Sequence, residues 1–137
     1  MVGVVLATHG RLAEELLRAA EQICGPVENC RALTLSATSA LEDARQALAE
    51  AIEEVEQGDG VLVLTDMFGG TPSNLALTFL DDRVEVVTGA NLPMLMKLAT
   101  ARAPGVPVVE LARVITAHGQ KNIVLASDQL RARRSKA

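Results

Sequence analysis

Only two histidines occur in this chain, and one of them, His9, stands where the apolar run "VVLAT" gives way to the helix-like "GRLAEELL". Asp66 closes a second apolar run, "GVLVLT", and is followed at once by "MFGGTP". An imidazole and a carboxylate at the ends of two buried strands form the usual pairing for a histidine held in one tautomer by an acceptor on its other nitrogen. Gly69 and Gly70 let the backbone come close to a ligand, and the N–H groups opening the next helix complete a cradle for an anion. These parts point to phosphoryl transfer through histidine. The imidazole nitrogen attacks phosphorus, Asp66 stabilises the imidazolium character that develops, and the cradle holds the phosphoryl oxygens. The scheme requires no metal and no cofactor. Neither GxxxxGK[ST] nor GxGxxG occurs, so the expected donor is another phosphoprotein and not a nucleotide. Thr71 and Ser73 sit in no GxSxG, which argues against a serine hydrolase. His118 reads as a structural residue in the last turn of a helix, where it complements the dipole.

The elements that must position His9 and Asp66 alternate along the chain. Val2 to Leu6 reads as a strand buried on both faces. From Gly10, Leu12, Leu16, Leu17, Ala20 and Ile23 recur at helical spacing, until Gly25 and Pro26 end the helix. "RALTLS" is a second strand. Ser39 and Glu42 form a capping box before a helix with a stripe of Leu41, Ala44, Leu48, Ala51, Ile52 and Val55. "GVLVLTD" is a third strand, and its helix opens with Thr71 as N-cap and Pro72 in the first helical position. "VEVVTG" and "NLPMLMKLATAR" repeat the pattern, and "VVELARVITAHG" is a helix closed by Gly119. "NIVLA", Asn122 to Ala126, reads as a short fifth strand. The spacing thus predicts an α/β fold with a doubly wound, mostly parallel sheet. In the order 2-1-3-4 the ligand-binding crevice falls between strands one and three, the two that end at His9 and Asp66. One domain over residues 1–126 and a basic, frayed tail over 127–137 are expected.

Composition narrows the function. The 137 residues are 49% apolar and 22% charged, with a net charge of −4, the profile of a soluble globular domain. Basic residues cluster only in "RARRSKA", which does not make the stripe that nucleic-acid backbones require. Phe68 and Phe79 are the only aromatic residues, so stacking platforms for bases or sugars are lacking. Cys24 and Cys30 match neither CxxC nor a zinc knuckle and read as buried thiols in a reducing cytoplasm. No apolar stretch is long enough to span a bilayer.

Three motifs, "THG" at Thr8 to Gly10, "DMFGGTPSN" at Asp66 to Asn74 and "GANLPML" at Gly89 to Leu95, resemble those of the mannose-family IIA proteins of the sugar phosphotransferase system. The resemblance runs from Val2 to about Leu125. It implies that His9 accepts phosphate from the phosphocarrier HPr through Nε2 and passes it to a IIB protein, with Asp66 orienting the ring. It further implies a phosphate site at Gly69, Gly70 and Thr71, supported by Thr8, Phe68 and Asn91. The family often has tryptophan where Phe68 stands and serine where Thr71 stands; both replacements keep the apolar wall and the hydroxyl. Many members continue into a IIB domain, whereas this sequence stops at Ala137, so the acceptor is expected on a separate chain.

Two other readings compete. "THGR" is faintly similar to the RHG of histidine phosphatases, but Thr8 stands where their arginine would be. A regulatory module switched by phosphorylation would need no onward transfer. For assembly, "NIVLA" follows Gly119 too closely for a parallel crossover within its own sheet, so it is expected antiparallel at an edge. The resemblance implies that this strand crosses to a second subunit, giving a homodimer by exchange.

Overall fold

The computed structural model describes residues 1–35 and 40–136. Four strands, β1 (Gly3–His9), β2 (Cys30–Leu35), β3 (Val61–Thr65) and β4 (Val84–Thr88), form one parallel sheet in the order β2-β1-β3-β4. Six helices, α1 (Leu12–Cys24), α2 (Leu41–Val55), α3 (Thr71–Leu77), α4 (Leu92–Ala101), α5 (Val108–Lys121) and α6 (Ala126–Lys136), complete the described chain. The expected α/β class and strand order are both present.

Alternation along the strands builds two apolar layers. Val4 and Leu6 of β1 join Leu62 and Leu64 of β3 in a core with α1, α4 and α5, which contributes Leu95, Leu98, Leu111 and Ile115. Val5 and Ala7 join Val61 and Val63 on the other face, under Leu48 and Ala51 of α2 and Leu75 of α3. Strands covered on both faces read as continuous apolar runs, which is why β1 and β3 are so evident in sequence. Burying a side chain of this size contributes ~1.5–3 kcal/mol, so these layers hold the strand ends in place. Register aligns Ala7 with Thr65 across β1 and β3, which puts His9 and Asp66 side by side just beyond.

Several local expectations are corrected. β1 runs on past Leu6 to His9, which makes the histidine the last strand residue. Thr71 is the first residue of α3 and not its cap; Gly70, in extended conformation, holds the N-cap position and Pro72 follows second. Leu41 is exposed, while Ala44, Leu48, Ala51 and Val55 are buried as the stripe requires. Ala40 caps α2, and the Ser39 half of the expected capping box lies outside the described residues. Cys24 is exposed and Cys30 half-buried, so the reading of two buried thiols fails for Cys24.

The largest correction is at the C-terminal end. α5 does not stop at Gly119 but continues to Lys121. Gly119 is there for contact: a Cβ would lie 2.2 Å from Cε of Met94, so the missing side chain makes room for α4. The Asn122 backbone N–H and Nδ2 both donate to the His118 carbonyl at 3.2 and 2.8 Å, capping α5. Asn122 to Leu125 is not a strand in this chain, and the expected tail from residue 127 is helical as α6. A strand exists only where an edge pairs with it, and this segment leaves the domain with Ile123, Val124 and Leu125 exposed.

Candidate functional site

His9 and Asp66 meet at the carboxyl ends of β1 and β3. The imidazole Nδ1 lies 2.8 Å from Asp66 Oδ2, and the same oxygen accepts the backbone N–H of His9 at 3.1 Å. The other oxygen, Oδ1, accepts the N–H of Met67 at 3.1 Å. Burial alone would raise the Asp66 pKa, but hydrogen bonds from the His9 ring and backbone outweigh it and hold the carboxyl below its ordinary value. An ionised carboxylate only accepts hydrogen bonds, so Nδ1 carries a proton in this contact, and in the neutral tautomer the lone pair lies on Nε2. The His9 side chain remains 52% exposed while that of Asp66 is only 14% exposed. The imidazole is therefore accessible and its carboxylate partner is sheltered.

Gly70 packs against the exposed edge of the ring. A Cβ there would stand 2.6 Å from His9 Cε1 and 3.2 Å from Nε2, so only glycine lets the loop lie beside Nε2. Gly69 adopts φ +86°, the left-handed region that glycine occupies without strain. Asn74 Nδ2 donates to the Gly69 carbonyl at 3.4 Å and ties the loop to α3. The structure thus brings His9, Asp66 and Gly70 into contact, with Gly69 in the same turn.

The remaining candidates serve differently. Thr71 is exposed at the start of α3, and Phe68 is 72% exposed beside Met67 at 54%. Thr8 is fully buried; its Oγ1 accepts the N–H of Ala13 at 2.7 Å and donates to the His9 carbonyl at 3.3 Å. It caps α1 from within the strand and fixes the backbone of the histidine. Asn91 accepts the Met94 N–H at 3.2 Å and donates to the Gly119 carbonyl at 3.1 Å, so its visible role is to cap α4 and join it to α5. Sequence reasoning missed the Met67 N–H and Asn74. The available signal for Asn74 was its place closing the motif "DMFGGTPSN", one turn into α3; no side-chain pattern marks a backbone donor. It also missed Thr65, and weighed Ser73 only as a hydrolase nucleophile; both side chains are fully buried, with hydroxyls that have no partner among the described residues.

An open parallel sheet in the order 2-1-3-4, with His9 and Asp66 meeting at the carboxyl ends of its two central strands, defines a doubly wound α/β protein with its crevice at the topological switch point. The chain belongs to the EIIA-man family, described as the PTS system fructose IIA component, whose family model matches residues 3–115. It is 30% identical over 124 residues to the mannose-specific EIIAB component of the phosphotransferase system of Escherichia coli K12, covering 89% of this chain and 38% of that protein. It is 26% identical over 132 residues to the fructose-specific EIIA component of Bacillus subtilis, covering 95% and 90% of the two chains. The crystal structure of the phosphotransferase system component EIIA from Streptococcus agalactiae matches with a TM-score of 0.84 at 28% identity, over 93% of this chain and 99% of that one. Among the described residues, no helix is long and apolar enough to cross a membrane.

Proposed function

We propose that the chain is a phosphoryl carrier that takes phosphate from phospho-HPr on His9 and passes it to a IIB protein or domain, in sugar uptake or its regulation. The observation that carries this reading is the 2.8 Å contact between His9 Nδ1 and Asp66, which in the neutral ring leaves the lone pair on Nε2. The Nε2 lone pair attacks phosphorus, a new N–P bond forms, and the bond from phosphorus to the donor side chain breaks with its electron pair leaving on the donor. Asp66 stays ionised and stabilises the imidazolium character of the phosphorylated ring. The backbone of Gly69 and Gly70 and the hydroxyl of Thr71 hold the phosphoryl oxygens. Phe68 offers an apolar wall for the partner proteins. Membership of the IIA family supports the reading, as do relatives named for mannose and fructose.

A homodimer is part of the same proposal. Ile123, Val124 and Leu125 are apolar and exposed, and β4 is an unpaired sheet edge. Pairing of Asn122 to Ala126 antiparallel to β4 of a second subunit would cover both.

Incubation with phospho-HPr tests the function. The full chain is expected to gain an acid-labile, base-stable phosphate that a IIB protein then removes, and His9→Ala is expected to gain none. Phosphate on His9→Ala would overturn the site. Phosphorylation without onward transfer to any IIB would favour a regulatory module, and steady release of inorganic phosphate from a small ester would favour a phosphatase.

A further inference from the structure

We propose that α6 is a basic arm that docks on the acidic turn Asp81–Asp82 of a second copy of this chain. The inference rests on the strand exchange proposed above and concerns the helix that follows the exchanged segment.

Residues 121–135 are all exposed, so α6 leans on nothing in its own chain. A helix of eleven residues is shorter than the ~12–15 that are marginal alone in water, and it needs a support. Its residues do not segregate into an apolar stripe, with Leu130 its one large apolar side chain, so an apolar groove is the wrong support. Charge remains. Arg131, Arg133 and Arg134 stand against a single acid, Asp128, whose only ion pair among the described residues is an exposed 3.8 Å contact with Arg131. Arg133 and Arg134 have no ion-pair partner among the described residues.

The fold says where such an arm would land. Run antiparallel along β4, Asn122 to Leu125 would lead from the Thr88 end of the strand toward Val84, so α6, which begins at Ala126, would start near the Val84 end. The turn there is acidic. Asp81 Oδ1 accepts the N–H groups of Arg83 and Val84 at 2.8 and 2.9 Å, which closes the turn immediately ahead of β4. Asp82 is exposed and unpaired among the described residues, and Glu85 lines the groove beside the edge. The neighbouring cation Arg83 is taken up by Glu56 at 3.1 Å, while Arg113 lies farther along the groove wall. At ~1.5 Å per residue, Arg131, Arg133 and Arg134 lie roughly 7–12 Å beyond the helix start, a span over which a helix laid back across the turn would present them to Asp81 and Asp82. The complementary surface is thus supplied by the chain itself.

The test uses the full chain and the variant Arg131→Glu/Arg133→Glu/Arg134→Glu, with dimer dissociation followed by sedimentation. At low salt the variant is expected to dissociate about tenfold more readily, a gap that closes near half-molar salt as the Debye length shrinks. Adding Asp82→Arg to the same chain is expected to recover most of the loss. Unchanged dissociation at low salt, or a loss that salt does not alter, overturns the docking of α6. Val124→Asp separates the two proposals: if it removes the dimer while the charge variant does not weaken it, the exchange stands and the arm falls. A dimer indifferent to Val124→Asp removes the exchange and the arm together.

Discussion

Asp66 Oδ2 holds His9 at two points, the backbone N–H at 3.1 Å and the ring Nδ1 at 2.8 Å. The ring is thereby referenced to the strand that carries it, and its other nitrogen faces the loop at Gly70. Asp66→Asn keeps an oxygen for these donors but removes the charge that favours the developing imidazolium. Transfer from phospho-HPr is expected to slow by ~10²-fold or more, the scale of losing an orienting carboxylate or a fixed electrostatic stabiliser. Rapid-quench rates within about twofold of the parent would take Asp66 out of the mechanism.

The same contact makes stability depend on pH. The Asp66 carboxyl is held below its ordinary value because its His9 hydrogen bonds outweigh the burial that would raise it. Its contribution is complete above the unfolded value of about 3.9 and is lost as pH falls through the lower folded value. The difference in thermal midpoint between the parent and Asp66→Asn is therefore expected to be greatest above about pH 5 and to shrink below it. A difference that grows toward acid would contradict this sign.

Gly70→Ala isolates a steric contact, because φ −80° at this residue suits alanine. The added methyl would stand 2.6 Å from His9 Cε1, so either the ring or the loop must shift. A displacement of this kind at a reacting group costs up to ~10²-fold in rate. Transfer is expected to fall well beyond any change in unfolding midpoint, as read by parallel rapid-quench and denaturant titrations. Equal losses in both would mean a folding defect.

Much of this site was legible because buried parallel strands announce themselves. Val4 to Ala7 and Val61 to Leu64 are apolar without a break, so the residues at their ends, His9 and Asp66, could be placed at neighbouring tips. Thr8 and Asn91 belonged to motifs, but their capping of α1 and α4 depends on hydrogen bonds between segments that sequence spacing does not reveal. Gly119 misled for a related reason: glycine is also the residue that lets Met94 approach, and this packing overrode its habit as a helix stop. Asn122 to Ala126 has the composition of a strand, yet a strand forms only against a partner edge, and none pairs with it among the described residues.

The two thiols should separate cleanly. Cys24 is exposed, whereas burial pushes the Cys30 thiol up to about 12. Since the thiolate is the reactive form, a disulfide reagent near neutral pH is expected to modify Cys24 promptly and Cys30 only on denaturation. Prompt labelling of Cys30, located by peptide mass spectrometry in the folded protein, would show that its burial is not maintained in solution.

The exchanged strand gives the final prediction. A groove of about 450 Å³ runs beside the free edge of β4, with Val86, Val87, Val109 and Ala112 in its walls. Ile123, Val124 and Leu125 are 75%, 58% and 66% exposed, an uninterrupted apolar triplet at the point where the chain leaves α5. Covering such side chains contributes ~1.5–3 kcal/mol each when burial is complete, and pairing would satisfy the open backbone groups of β4. The full chain is expected to sediment as a dimer at tens of micromolar. Val124→Asp would put a charge into the covered edge and is expected to give a folded monomer that retains the His9–Asp66 pair. A monomer for the parent chain at the same concentration would mean that this edge stays open in solution and that the triplet has some other cover.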